Sequence, residues 1–261
     1  MQKTAAQKLP DRNAYLERIG LSGRALPLTV ETLDAVISAH LQSIPFENLD
    51  AWDRHEAPAL DISALFDKLI LHRRGGWCFE QNALLEALLR DLGFEVYPVG
   101  VRVLVGRGGV PAVSHRGEIC VLNGRRYYCD VGFGNEQFRG TVPMDGSVNP
   151  YGYFMQTDGE YTLLCKNPAS PEPILMFVDR PFEPVDYEYA NYTLAVRPGL
   201  PFYEHLFVSI LTPDGHRKLL FDRRYTETAG DQLISEATVS DRAALSAMLS
   251  EQFGIDYSFA G

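Results

Sequence analysis

The chain has 261 residues, enough for one large domain or for two to three small ones closing over a site. Its apolar fraction of 46% and charged fraction of 22% are those of an ordinary globular protein, and a net charge of −10 argues against a nucleic-acid surface, which needs a basic face. No apolar run approaches the roughly 18 residues needed to span a bilayer, and the N-terminal segment lacks the apolar stretch of a signal peptide.

Taken in order, the first ninety or so residues read as helical. Thr29 predicts a cap for a helix carrying Leu33, Val36, Ile37 and Leu41 on one face and ending before Pro45. Asp61 or Ser63 opens another, with Leu65, Phe66, Leu69 and Ile70. A third follows Cys78, where Leu84, Leu85, Leu88, Leu89 and Leu92 recur at helical spacing and Gly93 is the stop. From about residue 94 the texture changes. Residues 96–105 read as a strand, with Pro98 marking an edge or bulge, and Arg107-Gly108-Gly109 as a turn. Residues 119–122 begin the next strand, and Asn123-Gly124 is a type I′ hairpin signal. Further turns at Thr157-Asp158-Gly159 and Thr212-Pro213-Asp214-Gly215 imply an antiparallel sheet curling toward a barrel. Ser240 caps a last helix with Leu245, Met248, Leu249 and Phe253 on one side. Helices, then strands, then a mixed tail is the α+β pattern.

Four cysteines, at 78, 120, 129 and 165, include no CxxC pair, which argues against a disulfide framework or structural zinc and for a reducing cytoplasm. Cys78 stands apart from the rest. It lies where Arg73-Arg74-Gly75-Gly76-Trp77 gives way to a helix, so the positive end of the helix dipole and two arginines favour its thiolate, the nucleophilic form. The alternative is a small buried hydrophobe. The pairs Arg73-Arg74, Arg125-Arg126 and Arg223-Arg224 can receive phosphates or serve as solvated surface.

The hairpin turn permits a register calculation. If Asn123-Gly124 is the two-residue loop, Leu122 pairs with Arg125, His115 lies opposite Gly132, and Gly117 opposite Asp130. His115 and Asp130 then share a face as diagonal neighbours, with glycines 117 and 132 leaving room for a hydrogen bond between them. Cys120 and Cys129 fall on the opposite face as packing residues. None of the other histidines (40, 55, 72, 205 and 216) shows comparable partner geometry. A carboxylate-held imidazole aimed at a helix-terminal thiol is the general design of an activated cysteine.

Three blocks, Ser43-Ile44-Pro45-Phe46-Glu47-Asn48-Leu49, Arg74-Gly75-Gly76-Trp77-Cys78-Phe79-Glu80-Gln81-Asn82, and His115 with Asp130-Val131-Gly132-Phe133-Gly134, resemble the signature of arylamine N-acetyltransferases. Block order, separations and total length agree with that family over nearly the whole chain. The resemblance implies a helical bundle over residues 1–93 carrying the nucleophile, a β-barrel over 94–200 carrying His and Asp, and an α/β lid over 201–261, around a papain- or transglutaminase-like Cys-His-Asp core. It implies Cys78 as nucleophile, His115 as general base and acid, and Asp130 as the orienting group. Glu47 and Arg74 match a bracing acid–base pair, and Phe46, Phe133 and Phe202 match aromatic positions of the acceptor pocket. Those three phenylalanines read equally as plain core residues. Acetyl-CoA is the implied co-substrate and a small aromatic amine or hydrazine the acceptor, with no permanently bound cofactor, no metal, no nucleic acid and no membrane.

Two departures from the family pattern stand out. Trp77 occupies the position before the cysteine, and Thr193-Leu194-Ala195-Val196-Arg197-Pro198-Gly199-Leu200-Pro201-Phe202 lacks the usual run of hydroxyls and a histidine. The altered wall leaves open a specialised acyl- or amide-forming member. The residues taken without the resemblance also suit a transglutaminase- or protease-like cysteine hydrolase, or a non-catalytic binder.

Overall fold

A computed structural model describes residues 7–106, 108–134 and 138–260. Arg107, placed in a turn from the sequence, lies outside the described residues.

The N-terminal third is helical: α1 (Arg12–Arg18), α2 (Val30–Ser43), α3 (Leu49–Arg54), α4 (Ile62–Phe66) running into a π-helical turn (Asp67–Leu71), and α5 (Cys78–Leu92). Thr29 caps α2 by accepting from the Thr32 N–H, and the Asp61 carboxylate, rather than Ser63, caps α4. α5 ends at Gly93, whose φ of 100° an L side chain would resist. Leu84, Leu85, Leu88 and Leu89 are fully buried, each contributing about 1.5–3 kcal/mol of apolar transfer, and α5 is the central helix of its bundle.

Strand β1 (Phe46–Glu47) interrupts the helices. The middle of the chain forms β2 (Glu95–Val103), β3 (His115–Leu122), β4 (Arg125–Cys129), β5 (Val142–Pro143), β6 (Phe154–Asp158), β7 (Tyr161–Lys166) and β8 (Glu172–Phe177). They join in one antiparallel sheet ordered β5-β4-β3-β2-β8-β7-β6. Its edge strands β5 and β6 approach each other, so the sheet nearly closes into a barrel. The tail comprises α6 (Glu188–Val196), α7 (Pro201–Glu204), β9 (Phe207–Leu211), β10 (Arg217–Phe221), β11 (Arg224–Ala229), β12 (Gln232–Thr238) and α8 (Arg242–Phe253). β1 pairs with β9, so the second sheet runs β1-β9-β10-β11-β12. The Asn48 side chain clamps this junction, donating to the Phe202 and His205 carbonyls and accepting from the Phe207 N–H. The last helix is capped by the Asp241 carboxylate on the Ala244 N–H; Ser240, expected as the cap, lies one residue too early and hydrogen-bonds Asp241.

The hairpin register follows the arithmetic as far as the ladder runs. Leu122 pairs with Arg125 and Glu118 with Cys129, and both turn residues have positive φ, 52° at Asn123 and 77° at Gly124. Ile119 and Tyr128 enter the barrel core, whereas Cys120 and Cys129 pack into the helical bundle core on the other face. Beyond Cys129 the chain leaves the sheet, so the β3–β4 ladder stops at Glu118–Cys129 and His115 is paired only on its other edge, with Val101 of β2. Among the described residues no helix is long and apolar enough to cross a membrane.

Candidate active site

Cys78 is the first residue of α5 and is 3% exposed. The loop before it is pinned by backbone bonds to β1: Glu47 N–H donates to the Gly76 carbonyl, and Gly76 N–H to the Pro45 carbonyl. Trp77 precedes the helix; its N–H donates to the Glu80 carboxylate, fixing the first turn, and its indole N–H donates to Asn191 on α6. The residue that departs from the family pattern thus ties the candidate active-site helix to α6, whose last turn begins the altered segment.

His115 opens β3 and Asp130 follows β4. His115 Nε2 lies 2.6 Å from Asp130 Oδ2, and both side chains are buried. The glycines between them act differently from the expectation. A Cβ at Gly132 would sit 2.5 Å from the Cys78 Cα, so this glycine admits the α5 backbone, while the space at Gly117 is filled by the Tyr128 ring. Asp130 is held further by Asn82, one helical turn after Cys78, whose amide donates to Oδ1 at 2.8 Å and to the Arg116 carbonyl, while its oxygen accepts from Val131 N–H. Burial alone would push the imidazole down; the Asp130 carboxylate and then Cys78, its second polar partner, outweigh that and push His115 up to about 10. Cys78 Sγ also lies 3.9 Å from the Ser114 carbonyl oxygen. Thiol, imidazole and carboxylate therefore meet, with the imidazole favoured in its charged form.

The three groups open onto a cavity of about 240 Å³ lined by Cys78, His115, Phe46, Phe133 and Phe202 together with Val103, Val105, Leu194 and Phe207. All three sequence-predicted phenylalanines reach it. Phe133 meets the His115 ring edge-on, with centroids 5.3 Å apart, and Phe46 packs against Phe202 at 5.9 Å. Leu194 and Pro201 from the altered segment form part of its wall. A larger cavity of about 610 Å³ lies beside α5, lined by residues such as Glu86, Arg90, Tyr97 and Phe182, and reaches none of the three reactive side chains.

Glu47 and Arg74 pair as expected, with Arg74 Nε and Nη2 at 2.9 and 2.6 Å from Glu47 Oε1. The sequence does not reveal that they belong to a cluster of five. Lys68, on the π-helical turn, donates to Asp50 at 2.6 Å and Glu80 at 2.7 Å, and Arg74 also reaches Asp50. Three carboxylates face two cations. Burial chiefly raises Glu80, Lys68 draws it down and Glu47 raises it again, leaving it at about 7.

Other sequence readings change. Arg125, Arg126 and Arg224 make exposed ion pairs with Asp145, Asp179 and Glu236, as solvated surface residues do, whereas Arg74 is part of the buried cluster. Three further histidines do have carboxylate partners: His72 with Asp67 at 3.1 Å, His205 with Asp222 at 2.9 Å and His216 with Glu227 at 3.0 Å. None of these three lines the cavity that holds Cys78. His40, buried and pushed down to about 3 by desolvation, bonds to Tyr15 and Gln81 and braces the bundle.

A helical bundle presenting a thiol at a helix N-terminus to an imidazole and carboxylate carried by an antiparallel barrel defines the papain- and transglutaminase-like class of Cys-His-Asp proteins. Within that class the affiliation is specific. A family model described as N-acetyltransferase matches residues 29–260. An arylamine N-acetyltransferase of Mycolicibacterium smegmatis is 36% identical over 220 residues, which is 80% of this chain and 79% of the relative. The arylamine N-acetyltransferase structure from Salmonella typhimurium superposes with a TM-score of 0.88 at 29% identity, covering 98% of this chain and 93% of that one. A structure of the Mycobacterium marinum arylamine N-acetyltransferase in complex with CoA gives 0.86 at 27% identity, covering 94% and 93%. The chain belongs to the arylamine N-acetyltransferase family and is an acyltransferase.

Proposed function

We propose that the protein transfers the acetyl group of acetyl-CoA to the nitrogen of arylamines or arylhydrazines through an acetyl-cysteine at Cys78. The observation that carries this reading is the meeting of Cys78 with the His115–Asp130 pair at one apolar, phenylalanine-lined cavity. In the first half-reaction the Cys78 thiolate attacks the thioester carbonyl, and backbone N–H groups at the start of α5 receive the oxyanion. The C–S bond to CoA breaks as the His115 imidazolium gives its proton to the departing thiolate. In the second, the amine attacks the acetyl-cysteine carbonyl and passes a proton to His115, and Cys78 leaves as thiolate. Asp130 holds the ring so that Nε2–H faces away from the thiol, leaving Nδ1 for these transfers. The cavity suits one small aromatic ring, and its apolar walls disfavour water as a competing acceptor. The Glu47–Arg74 pair braces the β1–Gly76 junction rather than meeting substrate. Four free, buried cysteines suit a reducing cytoplasm.

The test is thiol release from acetyl-CoA with and without an arylamine such as an anisidine, together with mass spectrometry of the protein after acetyl-CoA alone. The wild type should carry one acetyl group on Cys78 and release CoA continuously only when the amine is present. Cys78→Ala should do neither; near-normal turnover by that variant would overturn the assignment.

A further inference from the structure

The Asp130 carboxylate accepts four hydrogen bonds. Oδ1 takes the Asn82 amide at 2.8 Å and the Gly132 N–H at 2.8 Å, and Oδ2 takes His115 Nε2 at 2.6 Å and the Tyr128 hydroxyl at 2.8 Å. The last of these donors is built in deliberately by the local sequence. Tyr128 stands two residues before Asp130 on the same face of the strand, so its ring lies across β3. It can lie there only because residue 117 lacks a side chain: a Cβ at Gly117 would fall 2.4 Å from both Cε2 and Oη of Tyr128. The ring is fixed in turn by the barrel core, stacked on Phe177 with centroids 5.5 Å apart and edge-on to Phe138 at 6.2 Å. Burial and the adjacent carboxylate push the phenol well above its ordinary value, so it remains a donor.

We infer that Tyr128 is a positioning residue for the acyl-transfer reaction, a fourth member that acts through Asp130 and is admitted by Gly117. Sharing Oδ2 between the phenol and the imidazole does two things. It keeps that oxygen in the plane and direction of Nε2, and it draws charge from the carboxylate, so that the proton stays on the imidazole rather than moving toward oxygen. The barrel core thereby sets how strongly Asp130 pulls on His115. This inference rests on the acetyl-cysteine reading for its kinetic consequence and on geometry alone for its spectroscopic one.

The experiment compares Tyr128→Phe, which keeps the ring and removes the hydroxyl, with wild type. Gly117→Ala serves as a second variant that displaces the ring from the other side. Acetylation of Cys78 by acetyl-CoA, followed in single turnovers, should slow about tenfold, the loss of one good hydrogen bond, with KM unchanged. Its alkaline limb should move to higher pH, because the less neutralised carboxylate holds the imidazolium more tightly. In proton NMR without substrate, the His115 Nε2–H resonance should move further downfield. A Tyr128→Phe protein whose alkaline limb and resonance both coincide with wild type, whatever its melting temperature, would overturn the inference. Because the resonance is read without turnover, failure of the acetyl-cysteine reading, seen as CoA release by Cys78→Ala, is told apart from failure of this one.

Discussion

Lys68→Met preserves the length of the side chain and removes its charge. In the wild type the ammonium lies 2.6 Å from Asp50 and 2.7 Å from Glu80, and the Glu80 side chain is only 2% exposed. Removing one partner of a buried ion pair costs about 3–5 kcal/mol, or about 10 °C in Tm for a chain of this size. The pH dependence is the sharper part. Burial, the strongest influence on Glu80, outweighs the pull of Lys68 and places the carboxyl at about 7 rather than 4.5. A folded value above the unfolded one means that the folded state holds the extra proton. Ionising Glu80 therefore costs stability as pH rises from 4.5 through 7, about 3 kcal/mol in all. Without Lys68 the downward pull is gone and the cost grows. The variant should lose less at pH 5, where Glu80 is protonated and only the ionised Asp50 misses the cation, than at pH 8, where both carboxylates do. Urea unfolding at the two pH values, followed by the fluorescence of buried Trp77, measures both. Equal losses at pH 5 and pH 8 would refute the reasoning, because they would mean that Lys68 does not act through Glu80.

Asn82→Ala removes the amide that bridges α5 to Asp130 and leaves the Val131 N–H without its acceptor. It should cost about 1–3 kcal/mol in stability and at least tenfold in the acetylation rate, read by denaturant titration and single-turnover kinetics. Gly132→Ala drives a methyl to 2.5 Å from the Cys78 Cα; displacement of α5 from His115 should abolish acetylation while far-ultraviolet circular dichroism stays native-like. For His115, raised above its ordinary 6.5 to about 10, the stabilising pair is fully present below pH 6.5 and is lost as pH rises through 10. Acetylation should therefore lose its imidazolium only near pH 10, and a pH–rate profile falling instead near 6.5 would show an unpaired histidine.

The parts of the site legible in the sequence are those set by local geometry. Asn123-Gly124 fixes a turn and the turn fixes a register, which holds as far as Glu118–Cys129 and delivers His115 and Asp130 to one another just past its end. The glycine-to-helix transition likewise fixes where Cys78 stands. What escaped depends on contacts between distant elements or on backbone irregularity. Lys68 reaches Glu80 because the chain passes through a π turn at Asp67–Leu71, which helical periodicity does not announce. The roles of Gly117 and Gly132 were assigned to the wrong neighbours because a pairing table shows which positions face each other, not that a helix terminus and a tyrosine ring would arrive from outside the hairpin. Tyr128 carried a usable signal: two residues before Asp130, it shares its face by strand alternation.

The junction at β1 has a consequence for the order in which the protein can be made. Asn48 and Phe207, whose bond helps seat β1 beside β9, are 159 residues apart in the chain. The loop carrying Cys78 is itself hung on β1, and Phe202 and Phe207, which wall the cavity, arrive only with the last third of the chain. Closing so long a loop comes late and slowly in folding. On the ribosome, thiol, imidazole and carboxylate are all synthesised before the strand that anchors them, so a nascent or C-terminally truncated chain should hold an exposed, unwalled thiol rather than an enzyme.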